Sequence, residues 1–253
     1  MSEKPGVPDP DWIVPEWPAP PGVRALLTTR AGGVSTGAYS SFNLGLSTGD
    51  DPRAVAANRR RLRALLPAEP RWLKQVHGAQ VLDAESVYDR PAADASIAHT
   101  PGIVCAIQVA DCLPVLFTDR SGSVVAAAHA GWRGLAAGVI DNTVAAMDAA
   151  GVRAAEIIAC IGPGIGPGAF EVGDEVREAY VGRDPGAGYA FRTHVPGKWL
   201  ADLPSLARRA LERCGVASVY GGTLCTYSNP QRFYSYRRNK VTGRMAALIW
   251  IDP

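Results

Sequence analysis

The stretch GIVCAIQVADCLPVLFTDRSGSVVAAAHAGWRG, residues 102–134, decides the fold. Its runs near 102–109, 113–118 and 122–129 are almost continuously apolar, broken by short turns carrying Asp, Ser or Gly. Runs of this length without polar alternation predict strands covered on both faces. A helix is predicted over about 134–149. Ala136, Ile140, Val144 and Met147 mark its buried stripe, and Gly151 supplies a left-handed stop. Strands leading straight into an amphipathic helix predict one α/β domain with mixed sheets.

Working outward, Arg24 to Arg30 reads as a strand ending at the turn Gly32-Gly33. Asp51 and Pro52 form an N-cap and first-turn pair for a helix to about Leu66. Strands follow near 71–77 and 79–84. Beyond the central stretch come a buried strand at 156–161 and a short helix near 173–181. A glycine-rich loop region covers 182–199. The next helix carries Leu203, Leu206, Ala207, Ala210, Leu211 and Cys214 on one face, with Gly215 as its stop. Strands near 217–220, 233–237 and 244–251 close the chain. Residues 1–22 hold seven of the twenty prolines, with Trp12 and Trp17 among them, and read as an extended arm docked through its tryptophans. The single domain then spans 23–253.

The 253 residues are enough for one large domain with a sizeable core. A net charge of +2 argues against nucleic acid and anionic membrane surfaces as partners. The five cysteines follow no disulfide framework or CxxC spacing. No secretory leader pattern or membrane-spanning run is present, so the expected location is the cytoplasm. Lysine occurs four times against 22 arginines. That bias suits recognition of phosphate or carboxylate, and equally reflects coding preference. Oligomeric state is not readable from the pattern, and a monomer satisfies it.

Two of the four histidines and one cysteine sit where apolar runs break into glycine- or proline-marked turns. They are His77 before Gly78, Cys112 before Leu113-Pro114, and His129 before Ala130-Gly131. Two imidazoles and a thiolate make a three-ligand set for zinc with one open tetrahedral position, the mark of a catalytic site. Each histidine alone reads equally well as a satisfied structural residue. Asp111 and Glu171 are the nearby carboxylates, able to fix a histidine tautomer or carry a proton. Arg133 is the candidate clamp for phosphate or carboxylate, against a surface salt bridge as the plainer reading. Arg30 and Asn43 are candidate substrate contacts of lower rank. The glycines of 162–168 read as a tight turn needing positive φ, or as a backbone nest for an anion.

Several blocks together resemble the laccase-domain (YfiH-type) family, once called multicopper polyphenol oxidoreductases. They are Thr28-Thr-Arg-Ala-Gly-Gly-Val34, Ser41-Phe-Asn-Leu44, Gln75-Val-His-Gly78, Ala110-Asp-Cys-Leu-Pro-Val115 and His129-Ala-Gly-Trp-Arg-Gly134. The likeness continues through Ile161-Gly-Pro163, Phe170-Glu-Val-Gly173, Cys225-Thr-Tyr227 and Ser235-Tyr-Arg-Arg238, covering about 24–251. The resemblance implies a layered α/β/β/α sandwich and one zinc held by His77, Cys112 and His129. It implies a purine nucleoside phosphorylase acting on adenosine, inosine, guanosine and methylthioadenosine with inorganic phosphate, and adenosine deaminase activity. Gln75, beside the first ligand, joins Arg30, Asn43 and Arg133 as substrate-binding candidates. Departures from the family pattern fall at Gly168 and at 95–100, away from the three ligands.

A multicopper oxidase needs a trinuclear cluster rich in imidazole, and only His99 and His194 would remain for it. Copper at this site would therefore reflect substitution for zinc. Other readings stay open: a metal-free Cys–His hydrolase, a peptidoglycan-precursor editing enzyme, and a zinc-stabilised nucleotide-binding protein without catalysis.

Overall fold

Apolar patterning sets the strands, and the computed structural model describes residues 9–253. The first half runs β1 (Val23–Leu27), α1 (Pro52–Arg63), β2 (Val81–Asp83), β3 (Ala95–Ala98), β4 (Cys105–Val109), β5 (Leu113–Asp119) and β6 (Val125–Ala130). Helices α2 (Trp132–Ala137) and α3 (Val139–Ala149) follow, then β7 (Ile157–Ile161), β8 (Glu171–Gly173) and α4 (Asp174–Val181). The chain closes with β9 (Phe191–Val195), β10 (Lys198–Ala201), α5 (Leu203–Arg213), β11 (Ser218–Gly221), α6 (Tyr236–Asn239) and β12 (Met245–Ile251).

A six-stranded mixed sheet has the order β11-β7-β5-β6-β3-β2, and an antiparallel sheet has the order β1-β12-β4. A third, small antiparallel sheet has the order β8-β10-β9. Side chains alternate across each strand, so parity sorts them into three apolar layers. Val115, Phe117, Ala126, Ala128, Ile157 and Ala159 meet α3 and α5 on the outer face of the large sheet. Leu116, Val125 and Ala127 face Cys105, Ile107, Ala247 and Ile249 between the two sheets. Val104, Ala106, Ala246 and Leu248 turn to the other face of the small sheet and meet Leu62 of α1. The result is the expected α/β/β/α sandwich. A one-residue slip of β12 would exchange its two apolar faces, and the pairing Ala247↔Ile107 fixes the register.

Local signals account for the helix ends. The Asp51 side chain accepts from Arg53 N and Pro52 takes the first turn of α1. The predicted helix over 134–149 is two helices, because Gly138 adopts φ 94° and breaks the run between α2 and α3.

Other segments differ from expectation. Residues 71–77 form only the isolated bridges Arg71↔Cys105 and Lys74↔Ala92, because the N–H groups of Val76 and His77 turn to the Asp94 side chain instead of a strand partner. The 182–199 region is not plain loop: a 3-10 turn at Pro185–Ala190 leads into β9, which pairs with β10. Segment 233–237 is not a strand but ends in α6, where the Ser235 side chain caps Arg238 N. The glycines of 162–168 include none with positive φ among those recorded. Close packing explains the first two instead, because a Cβ on Gly162 would stand 2.4 Å from Leu27 Cδ2, and one on Gly164 2.4 Å from Leu113 Cδ2. Without a left-handed residue the segment does not form a nest.

The first eight residues of the expected arm lie outside the described residues. Trp12 is buried against Phe42, with ring centroids 4.6 Å apart, and Ile13 bridges to Leu27. Trp17 packs on the layer between the sheets. No helix among the described residues is long and apolar enough to cross a membrane.

Candidate metal centre

His129 is the penultimate residue of β6 and Cys112 precedes β5, so the β5/β6 ladder that pairs Leu113 with Ala130 brings them side by side. His77 comes from the loop before β2, in a left-handed conformation at φ 60°. The three ligand atoms lie within 4.8 Å of one another. Cys112 Sγ stands 3.9 Å from His77 Nε2, and the two imidazole centroids are 4.8 Å apart at 70°. In an ideal tetrahedral zinc site such a sulfur and nitrogen stand about 3.6 Å apart, so this pair needs to close by only a few tenths of an ångström.

Space around the triplet is tight. A Cβ on Gly131 would stand 2.8 Å from Cys112 Sγ and 3.1 Å from His77 Cδ2. Only glycine lets the backbone pass so close to two ligands. Burial grades across the set: His129 is buried, Cys112 half-buried and His77 exposed, so one side faces the cleft. Burial pushes the Cys112 thiol up, but His129 and His77 together outweigh it and bring the thiol to about 6. A thiolate is therefore available at neutral pH. This donor set suits a borderline cation such as zinc and equally admits copper.

The carboxylate that meets an imidazole of the triplet is Asp94, which the sequence reading missed, and not Asp111 or Glu171. Asp94 Oδ1 accepts from His129 Nδ1 at 2.8 Å and from His77 N at 2.9 Å, while Oδ2 accepts from Gly78 N at 2.7 Å. Burial raises its carboxyl, but the bonds from His129 and Gly78 hold it below the usual range. Asp111 is committed elsewhere: Thr226 Oγ1 and Arg237 N each donate to it at 2.6 Å. Glu171 leads β8 with its side chain turned out, 3.5 Å from His194 Nε2, and does not line the cleft.

The cleft in front of the triplet has a volume of about 790 Å³, within the usual range for small-ligand sites. Of the substrate candidates it contains Arg133 and Gln75. The Gln75 side chain is tied to strand β4, donating to Gln108 O at 2.7 Å and accepting from Gln108 N at 2.8 Å. Arg30 and Asn43 are not in the cleft wall. Arg30 donates to Ser40 O and Pro230 O, and buried Asn43 braces the 43–50 loop through Thr48, Asp50 and Gly45.

The cationic lining exceeds what the sequence reading identified. Lys74, Arg90, Arg133, Arg237, Lys240 and Arg244 all border the cleft, against Asp111 as its single carboxylate among the described residues. Cations also stand over the cleft aromatics: Arg133 over Trp132 at 4.3 Å, Arg237 over Phe170 at 5.1 Å and Lys240 over Tyr236 at 5.4 Å. The wall thus pairs positive charge with flat apolar surface, the two properties a phosphate and a base require.

His99 and His194 lie apart from this centre, beside Glu85 and Glu171 respectively. One other group with possible ligand geometry occurs among the described residues, Asp83, Glu85 and His99, and it holds a single imidazole. This geometry does not make a trinuclear copper cluster.

Comparison with known proteins agrees with this architecture. Residues 24–252 match the family described as multi-copper polyphenol oxidoreductase laccase. A purine nucleoside phosphorylase of Pseudomonas aeruginosa PAO1 is 53% identical over 242 residues, covering 95% of this chain and 98% of that protein. Purine nucleoside phosphorylase YfiH of Escherichia coli K12 is 52% identical, covering 94% and 98%. Among solved structures, a Neisseria meningitidis protein of the DUF152 family superposes with a TM-score of 0.92 at 50% identity, covering 96% of this chain and all of that one. YlmD from Geobacillus stearothermophilus gives 0.87 at 33% identity, covering 92% and 93%. The chain belongs to this laccase-like family, whose curated relatives carry the name purine nucleoside phosphorylase.

Proposed function

We propose that this family member is a zinc-dependent purine nucleoside phosphorylase, cleaving adenosine, inosine, guanosine and methylthioadenosine with inorganic phosphate, and that the same site deaminates adenosine. The observation that carries the reading is the His77, Cys112 and His129 triplet opening onto a strongly cationic cleft. The names of the bacterial relatives support the reaction class. Five free cysteines suit a reducing compartment, and a cytoplasmic location belongs to the same reading.

In phosphorolysis a phosphate oxygen forms a bond to C1′ of the ribose while the C1′–N9 bond breaks. The bonding pair leaves with the purine, which takes up a proton, and ribose 1-phosphate remains. When bound, the zinc ion supplies positive charge to orient phosphate or polarise the base. Arg133, Lys240 and Arg244 supply further charge along the wall, holding the phosphate in line and offsetting its charge. Trp132, Phe170 and Tyr236 give the base an apolar border from which water is displaced. Deamination instead adds water at C6 of the purine and breaks the C6–N6 bond, and the amine leaves as ammonia once it receives a proton. Asp111, held in place by Thr226 Oγ1 and Arg237 N, is the carboxylate lining the cleft and the group to carry that proton.

The test is incubation of the zinc-loaded protein with adenosine, with and without phosphate. Adenine and ribose 1-phosphate are expected only with phosphate, and inosine in either case. Absence of both products removes the reading.

One observation favours a second reading. Cys112, with its thiol lowered to about 6, lies within 4.8 Å of His129, which Asp94 holds in turn, the groups a metal-free Cys–His enzyme needs. Turnover that survives full removal of metal would select it.

A further inference from the structure

We propose that Asp94 is the positioning residue for both histidine ligands of the metal centre. The proposal rests on reading the triplet as a metal site. Asp94 is fully buried and absent from the cleft wall, so it touches neither substrate nor the open coordination position. Its effect passes through the groups it holds.

Two different connections meet at this one carboxylate. The first is to a ring: His129 Nδ1 donates to Oδ1 at 2.8 Å, which leaves Nε2, on the side of Cys112, as the nitrogen to meet a metal. The main chain locks the same pair again, because His129 N donates to Asp94 O at 2.7 Å. The second connection is to a loop. Val76 N, His77 N and Gly78 N all donate to the carboxylate, at 3.2, 2.9 and 2.7 Å.

Three consecutive N–H groups converging on one anion hold the chain in a curved conformation with His77 at φ 60°. A non-glycine residue in that region is disfavoured unless its surroundings hold it there. His77 is exposed, and among the described residues its ring has no hydrogen-bond partner except Cys112, with an edge contact to the His129 ring. Its placement therefore depends on its backbone, and its backbone on Asp94. Asp94 N is held in turn by Gln80 O at 3.1 Å, which closes the loop on itself. One buried carboxylate thus sets the tautomer of one ligand and the position of the other.

Asp94→Asn and Asp94→Ala separate the two connections. Asparagine is nearly isosteric and keeps an oxygen for His129 and His77 N. Its NH₂ group then faces the Gly78 and Val76 donors and loses the hold on the loop. Alanine loses both connections. Zinc affinity is read by competition with a chromophoric chelator, and a thermal melt in chelator identifies the folded variants. Binding is expected to weaken by about 10- to 100-fold for Asp94→Asn, and further for Asp94→Ala.

A second readout needs neither metal nor turnover. A slowly exchanging, low-field Nδ1 proton on His129 is expected in the ¹H–¹⁵N spectrum of the unaltered protein and lost in Asp94→Ala. Folded variants that bind zinc as tightly as the parent overturn the proposal. So does an unaltered protein in which the His129 Nδ1 proton exchanges freely. If the parent fails to bind zinc, the metal reading falls, and the Nδ1 proton still decides whether Asp94 holds His129.

Discussion

Replacing Gly131 with alanine tests whether the close packing at the triplet is part of how it binds metal. Gly131 has φ −70° and ψ 162°, extended values that alanine adopts freely, so the change acts through one methyl group. That methyl would stand 2.8 Å from Cys112 Sγ and 3.1 Å from His77 Cδ2. Comfortable heavy-atom contacts are about 3.5–4.0 Å, so each ligand must give way by about 0.5–1 Å. Overpacking of this kind costs about 1–3 kcal/mol. His77 is exposed and can swing aside in the metal-free protein, so the cost falls mainly on the state in which the ligands converge. Zinc binding should weaken by about 5- to 150-fold, with little change in the melting temperature measured in chelator. Gly168→Ala is the control, because a Cβ there meets nothing within 4 Å. Equal zinc affinity for Gly131→Ala and the parent would refute the reasoning, since the methyl would then have found room without moving a ligand.

Other substitutions probe separate parts of the account. Cys112→Ala should abolish stoichiometric zinc binding and turnover together, measured by metal analysis and product formation. Arg133→Ala should raise KM for phosphate by about 10- to 100-fold with a smaller change for nucleoside, the loss expected for a hydrogen bond to a charged group. Gly164→Ala should lower stability by about 1–3 kcal/mol in a denaturant titration, because its Cβ would meet Leu113 Cδ2 at 2.4 Å. Asp119 gives a pH dependence. Burial raises its carboxyl, but bonds from Ser121, Val124 and Ser123 hold it below the usual value of 3.8. Its stabilisation is thus complete well above pH 3.8 and lost as pH falls through the lower folded value. Asp119→Asn should be less stable than the parent at pH 7, and the gap should shrink below about pH 3.8.

The layered fold was legible because parity does most of the work. Near-continuous apolar runs such as 113–118 can only belong to strands covered on both sides, and β5 is buried along its whole length. Local signals failed where placement depends on distant partners. Residues 71–77 look strand-like, yet only Arg71 and Lys74 bridge to other segments, and the N–H groups of Val76 and His77 go to the Asp94 carboxylate instead of a strand partner. His77, Cys112 and His129 stood out since histidine is rare here and each sits at a turn. Asp94 lies in Ala92-Ala93-Asp94-Ala95-Ser96, a run with no motif, and its partners are 17 and 35 residues away. Glu171 looked suitable by position after the glycine loop, but strand alternation turns it outward. Arg237, Lys240 and Arg244 were hidden among 22 arginines and four lysines. Only the fold shows which of these cations border the cleft.

The central claim is that this triplet and its cationic cleft carry out metal-dependent phosphorolysis. The most direct measurement follows ribose 1-phosphate formed from adenosine by one protein sample, first zinc-loaded, then stripped by chelator, then reloaded. The account predicts product only with phosphate and zinc together, loss on stripping, return on reloading, and none from Cys112→Ala. Ribose 1-phosphate formed at an undiminished rate by the stripped protein would contradict it.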